Sequence, residues 1–207
     1  MIMAREPRKA LFAVAATQGG YFTAKQAREA GYDYPHLDYH VAAGNFTRVG
    51  HGLYRLAALP TSEHDELIRL SLWSRNRADE PQAVASHETA LALHELADVL
   101  PARVHLTVPP GFRKRVPAGC VLHRARLAPG DVEEHEGFRV TTPLRTLIDV
   151  ADGTVSQEQL EKAVADALGR GLVRREKLLA AVADHDRLGR LARAVKAATG
   201  PAAHAES

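Results

Sequence analysis

Apolar residues recur at helical spacing at the start of the chain. Leu11, Phe12, Val14 and Ala15 gather toward one side of a helix expected over residues 8–17, which Gly19-Gly20 ends. Thr23 followed three positions later by Gln26 forms a capping box, so a second helix spans 24–30 and stops at Gly31. Asp33 caps a third helix with Pro35 in its first turn, running to about residue 43 and closing at Gly44. Two short helices joined by so tight a turn make a helix-turn-helix. After Gly44 the period switches to alternation. Phe46-Thr47-Arg48-Val49 and Leu53-Tyr54-Arg55-Leu56 are strand-like runs separated by Gly50-His51-Gly52, a hairpin turn. Three helices followed by a basic hairpin predict a winged helix over residues 1–57.

Pro60-Thr61-Ser62 mark a break, and a second domain is expected over 62–200. A helix over 63–76 turns Leu67, Ile68, Leu70, Leu72 and Trp73 inward, and Ser86 caps another over 87–96 with Ala90, Leu91 and Leu93 inside. Residues 104–108, 121–127 and 138–141 read as strands, the first cut by Pro109-Pro110-Gly111. Ser156 and Gln159 form a second capping box, after which Leu160, Ala163, Val164, Ala167 and Leu168 keep helical spacing. Two further helices follow, over 174–183 and 187–197. In the last, Leu188, Leu191, Ala192 and Val195 share one side, with Arg187, Arg190, Arg193 and Lys196 around the rest. The fold class is therefore α+β: an N-terminal winged helix-turn-helix, then a mixed α/β domain with C-terminal helices.

Composition narrows the function classes. An apolar fraction of 45% and a charged fraction of 25% in 207 residues suit a globular chain that needs no covalent staple. Cys120 is the single cysteine, which excludes an internal disulfide and any cysteine-rich zinc module, and fits a cytoplasmic setting. Arg5, Arg8 and Lys9 precede a short apolar run at 10–16, but Thr17 and Gln18 follow at once, so the segment reads as a helix and not as a leader. No stretch approaches the ~20 apolar residues of a membrane span, and no membrane partner is expected. Net charge is +2, unevenly spread. Residues 1–56 hold seven Lys/Arg against four Asp/Glu, and 170–196 hold eight against three. Both concentrations suit an anionic partner or a solvated surface.

In a winged helix the third helix enters the major groove while wing and helix ends hold phosphates. Leu37 and Val41 face the core, leaving Tyr34, His36, Asp38, Tyr39, His40 and Ala42 on the outer side. No Lys or Arg lies between Arg28 and Arg48, so base contacts fall to Tyr34, His36, Tyr39 and His40. Phosphate attraction falls to Arg5, Arg8, Lys9, Lys25, Arg28, Arg48 and Arg55, with His51 at the wing tip. Among eleven histidines, His87 and His94 lie near Glu88 and Glu95, but a seven-residue spacing does not build the paired ligand face of a zinc helix. They read as surface or capping histidines, and neither metal nor cofactor is expected. No lysine follows a glycine, no G-x-S-x-G elbow occurs, and no Glu-x-Lys occurs, so no common catalytic motif is present.

Three groups of residues carry a family resemblance. Gly19-Gly20-Tyr21-Phe22-Thr23-Ala24-Lys25-Gln26-Ala27, Ala30-Gly31 and the run from Arg48 to Arg55 are similar to the winged helix of AbiEi-type antitoxins of bacterial toxin-antitoxin systems. The runs Ala85 to His94, Val104 to Pro109 and Thr141 to Asp149 resemble that family's C-terminal segment. The resemblance implies an antitoxin that binds double-stranded operator DNA, represses its own operon and neutralises a cognate nucleotidyltransferase-like toxin. It names no catalytic residue. It leaves open direct binding, competition at the toxin's target, or an enzyme that modifies the toxin covalently, phosphoryl transfer included.

Overall fold

The computed structural model describes residues 5–153, 155–183 and 189–199. The chain is α+β and divides into two compact units, Met1–Ala83 with Glu134–Phe138, and Val84–Glu133 with Arg139–Ser207. The first unit thus continues past the break at Pro60-Thr61-Ser62.

The first unit carries α1 (Arg5–Ala16), β1 (Tyr21–Thr23), α2 (Ala24–Glu29), α3 (Tyr34–Ala42), β2 (Phe46–Gly50), β3 (Leu53–Leu56) and α4 (Asp65–Ser74). Local chemistry sets the boundaries. Thr23 Oγ1 accepts from the Gln26 backbone N–H at 3.1 Å, and Gln26 Oε1 accepts from the Thr23 N–H at 2.8 Å, completing the capping box. Asp33 Oδ1 accepts from the His36 N–H at 3.0 Å and starts α3, with Pro35 in the first turn. Gly52 sits at φ 64 in the β2–β3 turn, a conformation that penalises any Cβ. The strands form an antiparallel sheet in the order β1-β3-β2, with Phe22 opposite Tyr54. Phe22 lies 5.0 Å from the Phe46 ring and 5.7 Å from the Tyr54 ring; with Leu11, Ala15, Ala27 and Leu37 these rings form the core. Phe12, expected inside with Leu11, is instead half exposed.

The second unit carries β4 (Val84–Ala85), α5 (His87–Leu93), β5 (Val104–Val108), β6 (Cys120–Arg124), β7 (Val132–His135), β8 (Phe138–Thr141), α6 (Pro143–Ala151), α7 (Gln157–Gly169), α8 (Arg175–Ala183) and α9 (Gly189–Thr199), the tip of the β7–β8 hairpin clustering with the first unit. Its sheet runs β6-β5-β4-β8-β7, antiparallel between β4 and β5 and parallel between β4 and β8 and between β5 and β6. Leu147, Leu160, Val164, Leu178 and Leu191 are fully buried in one helical core. Helix α5 ends at Leu93 and not at 96, because Glu95 and Ala97 take positive φ angles of 55 and 56 that no helix continues through. Ser86 occupies the cap position without capping; its hydroxyl is engaged elsewhere. In α9 the buried side is Leu191, Ala194 and Val195, with Ala192 only partly covered; Arg187 and Leu188 lie outside the described residues.

Candidate nucleic-acid interface

Helix α3 sorts its side chains sharply. Leu37 is 0% exposed, while Tyr34 and Tyr39 are 57% and 66% exposed, and His36 and Asp38 face solvent with them. Each tyrosine presents an apolar ring and a hydrogen-bonding hydroxyl to solvent. The Arg28 guanidinium stands 6.0 Å from the centre of the Tyr34 ring, so α2 delivers a cation to the edge of the same face. His36 Nδ1 is 2.9 Å from Asp33 Oδ1, an exposed pair that fixes the ring beside the start of α3.

His40 behaves differently from the other outward candidates. Its ring packs 4.7 Å from Phe46 and 5.4 Å from Tyr32, and its Nδ1 accepts a hydrogen bond from Asn45 Nδ2 at 3.2 Å. Burial, with smaller repulsion from His36 and Arg8, lowers its pKa and keeps the imidazole neutral at pH 7. It faces the body of the unit.

The cations expected at phosphates fall into three groups. Arg48 on β2, His51 in the wing turn, and Arg8 and Lys9 on α1 are exposed. Lys25 is also tied to Glu29 at 3.9 Å across one helical turn, an exposed pair of little strength. Arg55 donates from Nη2 to the Leu59 carbonyl at 2.6 Å and lies 5.7 Å from the centre of the Tyr21 ring, so its guanidinium fastens the chain after β3. Arg5 opens α1, and its side chain is outside the described part.

The second unit gathers polar residues that sequence spacing kept apart. Glu88 Oε2 accepts from His105 Nε2 at 2.6 Å, and His105 Nδ1 lies 3.1 Å from His123 Nε2. His123 stacks on His87 with ring centres 3.5 Å apart. His87 Nδ1 meets Ser86 Oγ at 3.0 Å, and Ser86 Oγ accepts from Thr107 Oγ1 at 2.8 Å. Burial pushes the His87 pKa down to about 3, with His123, His105 and Arg145 adding repulsion; burial is also the main cause lowering His105 and His123. Neutral rings make the chain self-consistent: His105 donates to the carboxylate through Nε2 and accepts at Nδ1 from His123. So His87 is neither a surface nor a capping histidine, and its partners are His105 and His123, not His94. His94 instead meets the Thr141 carbonyl through Nε2 at 2.7 Å. No cluster suited to a metal ion occurs among the described residues.

The sequence of the second unit also carries a local charge bias. From residue 99 to 130 there are six Lys/Arg (Arg103, Arg113, Lys114, Arg115, Arg124 and Arg126) and no Asp or Glu. All six are exposed, spread from just before β5 through the connection that follows to just past β6. No helix among the described residues is long and apolar enough to cross a membrane.

Comparison with known proteins agrees with the geometry of both units. A family described as "Transcriptional regulator, AbiEi antitoxin" matches residues 9–57, and "AbiEi antitoxin C-terminal domain" matches residues 83–197. Among solved structures, the crystal structure of the RV2827C protein from Mycobacterium tuberculosis is similar at 14% identity and a TM-score of 0.57. That likeness covers 96% of this chain and 78% of the other, and at such identity it speaks for the fold alone. No curated protein matches the sequence.

Proposed function

The chain belongs to the AbiEi antitoxin family, transcriptional regulators of toxin-antitoxin systems, and from that premise we propose that its winged helix binds operator DNA of its own operon while the second unit neutralises a cognate nucleotidyltransferase-like toxin. One observation carries the DNA half: α3 keeps Tyr34, His36, Asp38 and Tyr39 in solvent around its buried Leu37, with Tyr39 farthest from the core. Tyrosine and histidine there donate hydrogen bonds to base edges or pack on thymine methyls, while Arg28, Arg48, Arg8, Lys9 and His51 supply charge for the phosphates. Lys25 contributes by exchanging Glu29 for a phosphate, and Arg55 contributes chiefly by holding the wing. His40 supports α3 from behind. The toxin half rests on the match of residues 83–197 to the family's C-terminal domain.

Titration of the full-length protein against DNA from upstream of its own gene tests the assignment. Arg48→Ala should weaken binding to every sequence alike and lower the salt slope by about one, since one phosphate fewer is neutralised. Tyr39→Ala should instead narrow the gap between operator and random DNA. Both variants should still protect cells in co-expression with the toxin. Unchanged affinity and slope in Arg48→Ala would sink the wing assignment, and unchanged preference in Tyr39→Ala would remove α3 as the reader.

A further inference from the structure

A cavity of about 460 Å³ opens in the first unit between α1, the turn into α3, the C-terminal end of α3 and the chain after β3. Its walls are mostly apolar, with Phe12, Phe46 and Leu56 among them. Phe12 is 50% exposed although its neighbour Leu11 is 2% exposed, so about half of this residue stays uncovered at the cavity. Tyr32, His40 and Phe46 stand edge to face or tilted, with centres 4.7 to 5.8 Å apart, and present further ring surface. The volume lies in the range of small-molecule sites, which combine apolar walls with a few placed polar groups.

The full charge in this lining is positive. Arg8 lines the cavity and makes no ion pair among the described residues, and no Asp or Glu belongs to the lining. His40 spends Nδ1 on Asn45, so in its neutral form the other ring nitrogen carries the proton and donates. One full cation, one ring donor and no anion complement a single negative charge. Apolar aromatic walls complement a flat ring.

We propose that this cavity binds an aromatic monocarboxylate, its ring against Phe12 and Phe46 and its carboxylate on Arg8. Resting on the function proposed above, a consequence follows for DNA. Arg8 is one of the cations assigned to phosphates, so a bound carboxylate withdraws it and operator affinity falls. By linkage, operator DNA weakens the ligand to the same degree.

Binding is measured on the full chain without DNA, so its outcome does not depend on whether the winged helix holds an operator. The probes are 1-naphthoate, the uncharged 1-naphthamide and the ring-free octanoate. A ligand of this size should bind with a dissociation constant on the order of 0.1 to 1 mM. Naphthamide and octanoate should each bind about threefold to tenfold more weakly. Arg8→Gln should cost naphthoate the same factor and leave naphthamide unchanged. Ala57→Trp fills the cavity from an exposed position, spares the core and should abolish binding. Naphthamide as tight as naphthoate, or Ala57→Trp binding like wild type, overturns the site, as does no binding at about tenfold the expected constant. With saturating naphthoate, operator affinity at low salt should drop roughly twofold to tenfold, the share of one neutralised phosphate, and Arg8→Gln should show no such drop. Naphthoate binding with unaltered operator affinity overturns the coupling. Absence of any operator binding fails the function proposed above, and the probe titration still decides the site.

Discussion

In the first unit α3 leaves Tyr34, His36, Asp38 and Tyr39 in solvent, whereas in the second unit His87, His105 and His123 are packed ring against ring with Glu88, Ser86 and Thr107. The residue types overlap, and the consequences are opposite. A polar group in water keeps its hydrogen-bonding capacity for whatever arrives, so changing it alters binding and spares stability. A buried group has already spent that capacity on its neighbours, so changing it, or protonating it, alters stability first. The contrast separates a reading surface from an internal scaffold, and it is open to measurement.

The largest expected effect contrasts the two faces of α3. Leu37→Ala removes a side chain that is 0% exposed and should cost the first unit about 2–5 kcal/mol, read by urea unfolding through the fluorescence of Trp73, the only tryptophan. Tyr39→Ala, three-fifths exposed or more, should move the midpoint by no more than about 0.5 kcal/mol. Comparable losses in both variants would break the two-faced account of α3.

Next in size is the response to acid. The folded-state pKa of His87 is about 3, below its unfolded value, so the folded form binds fewer protons between the two. Stability from the neutral ring is therefore complete above about pH 6.5 and is lost as pH falls toward 3. Between pH 7 and 5 this should remove about 1–2 kcal/mol, with partial exposure of the ring already discounted. His105 and His123, also lowered by burial, act in the same direction. Asp149 opposes them at the acid end, because burial raises its pKa and protonation relieves that cost. In the first unit His40 shifts the same way but with far less burial, so its loss is smaller. Urea unfolding at the two pH values should show the far-UV circular dichroism transition, which includes the helices of the second unit, moving more than the Trp73 transition. His87→Gln should flatten that difference. Equal shifts in both probes would contradict it.

Most of the first unit was legible in the sequence, because its signals are local. The Thr23-Gln26 box, the Asp33 cap with Pro35 and the Gly50-His51-Gly52 turn each act within four residues, and each appears where expected. Strand β1 went unread, since three residues ahead of a cap hold no period of their own. In the second unit β4 has two residues and β7 reads Val-Glu-Glu-His, neither of which carries a strand signature. Helix α6 had a usable signal in Thr142 before Pro143, and the Thr142 hydroxyl does accept from the Arg145 N–H at 3.3 Å. The histidine cluster was not legible. Alternation places His105 with Thr107 and Val121 with His123, but only the parallel register of β5 on β6, which sets Thr107 beside His123, brings the faces together. Register is a property of the sheet, and the Ser86 hydroxyl is drawn from its expected capping role by the same long-range pairing.

The smallest effect concerns α9, whose cations were expected to spread around the side left by its apolar residues. Arg190 is instead consumed: its guanidinium donates to the carbonyls of Ala151, at 3.3 Å, Gly153, at 3.1 Å, and Val155, closing the end of α6 and the turn into α7. A cation at carbonyls that end a helix is favourable both as a hydrogen-bond donor and against the helix dipole. Arg190→Gln should therefore cost about 1–2 kcal/mol in the unfolding of the second unit, the low end of the scale for hydrogen bonds to a charged group because these bonds are part exposed. Arg193 and Lys196 are exposed, and the double variant R193Q/K196Q should change stability by less than about 0.5 kcal/mol. Because that variant leaves the fold intact, its binding phenotype is interpretable where that of Arg190→Gln is not. Lost protection against the toxin with intact operator binding assigns the two side chains to the toxin, and the reverse assigns them to DNA. No change in either assay leaves them as solubilising charge, the commoner role of an exposed basic helix face.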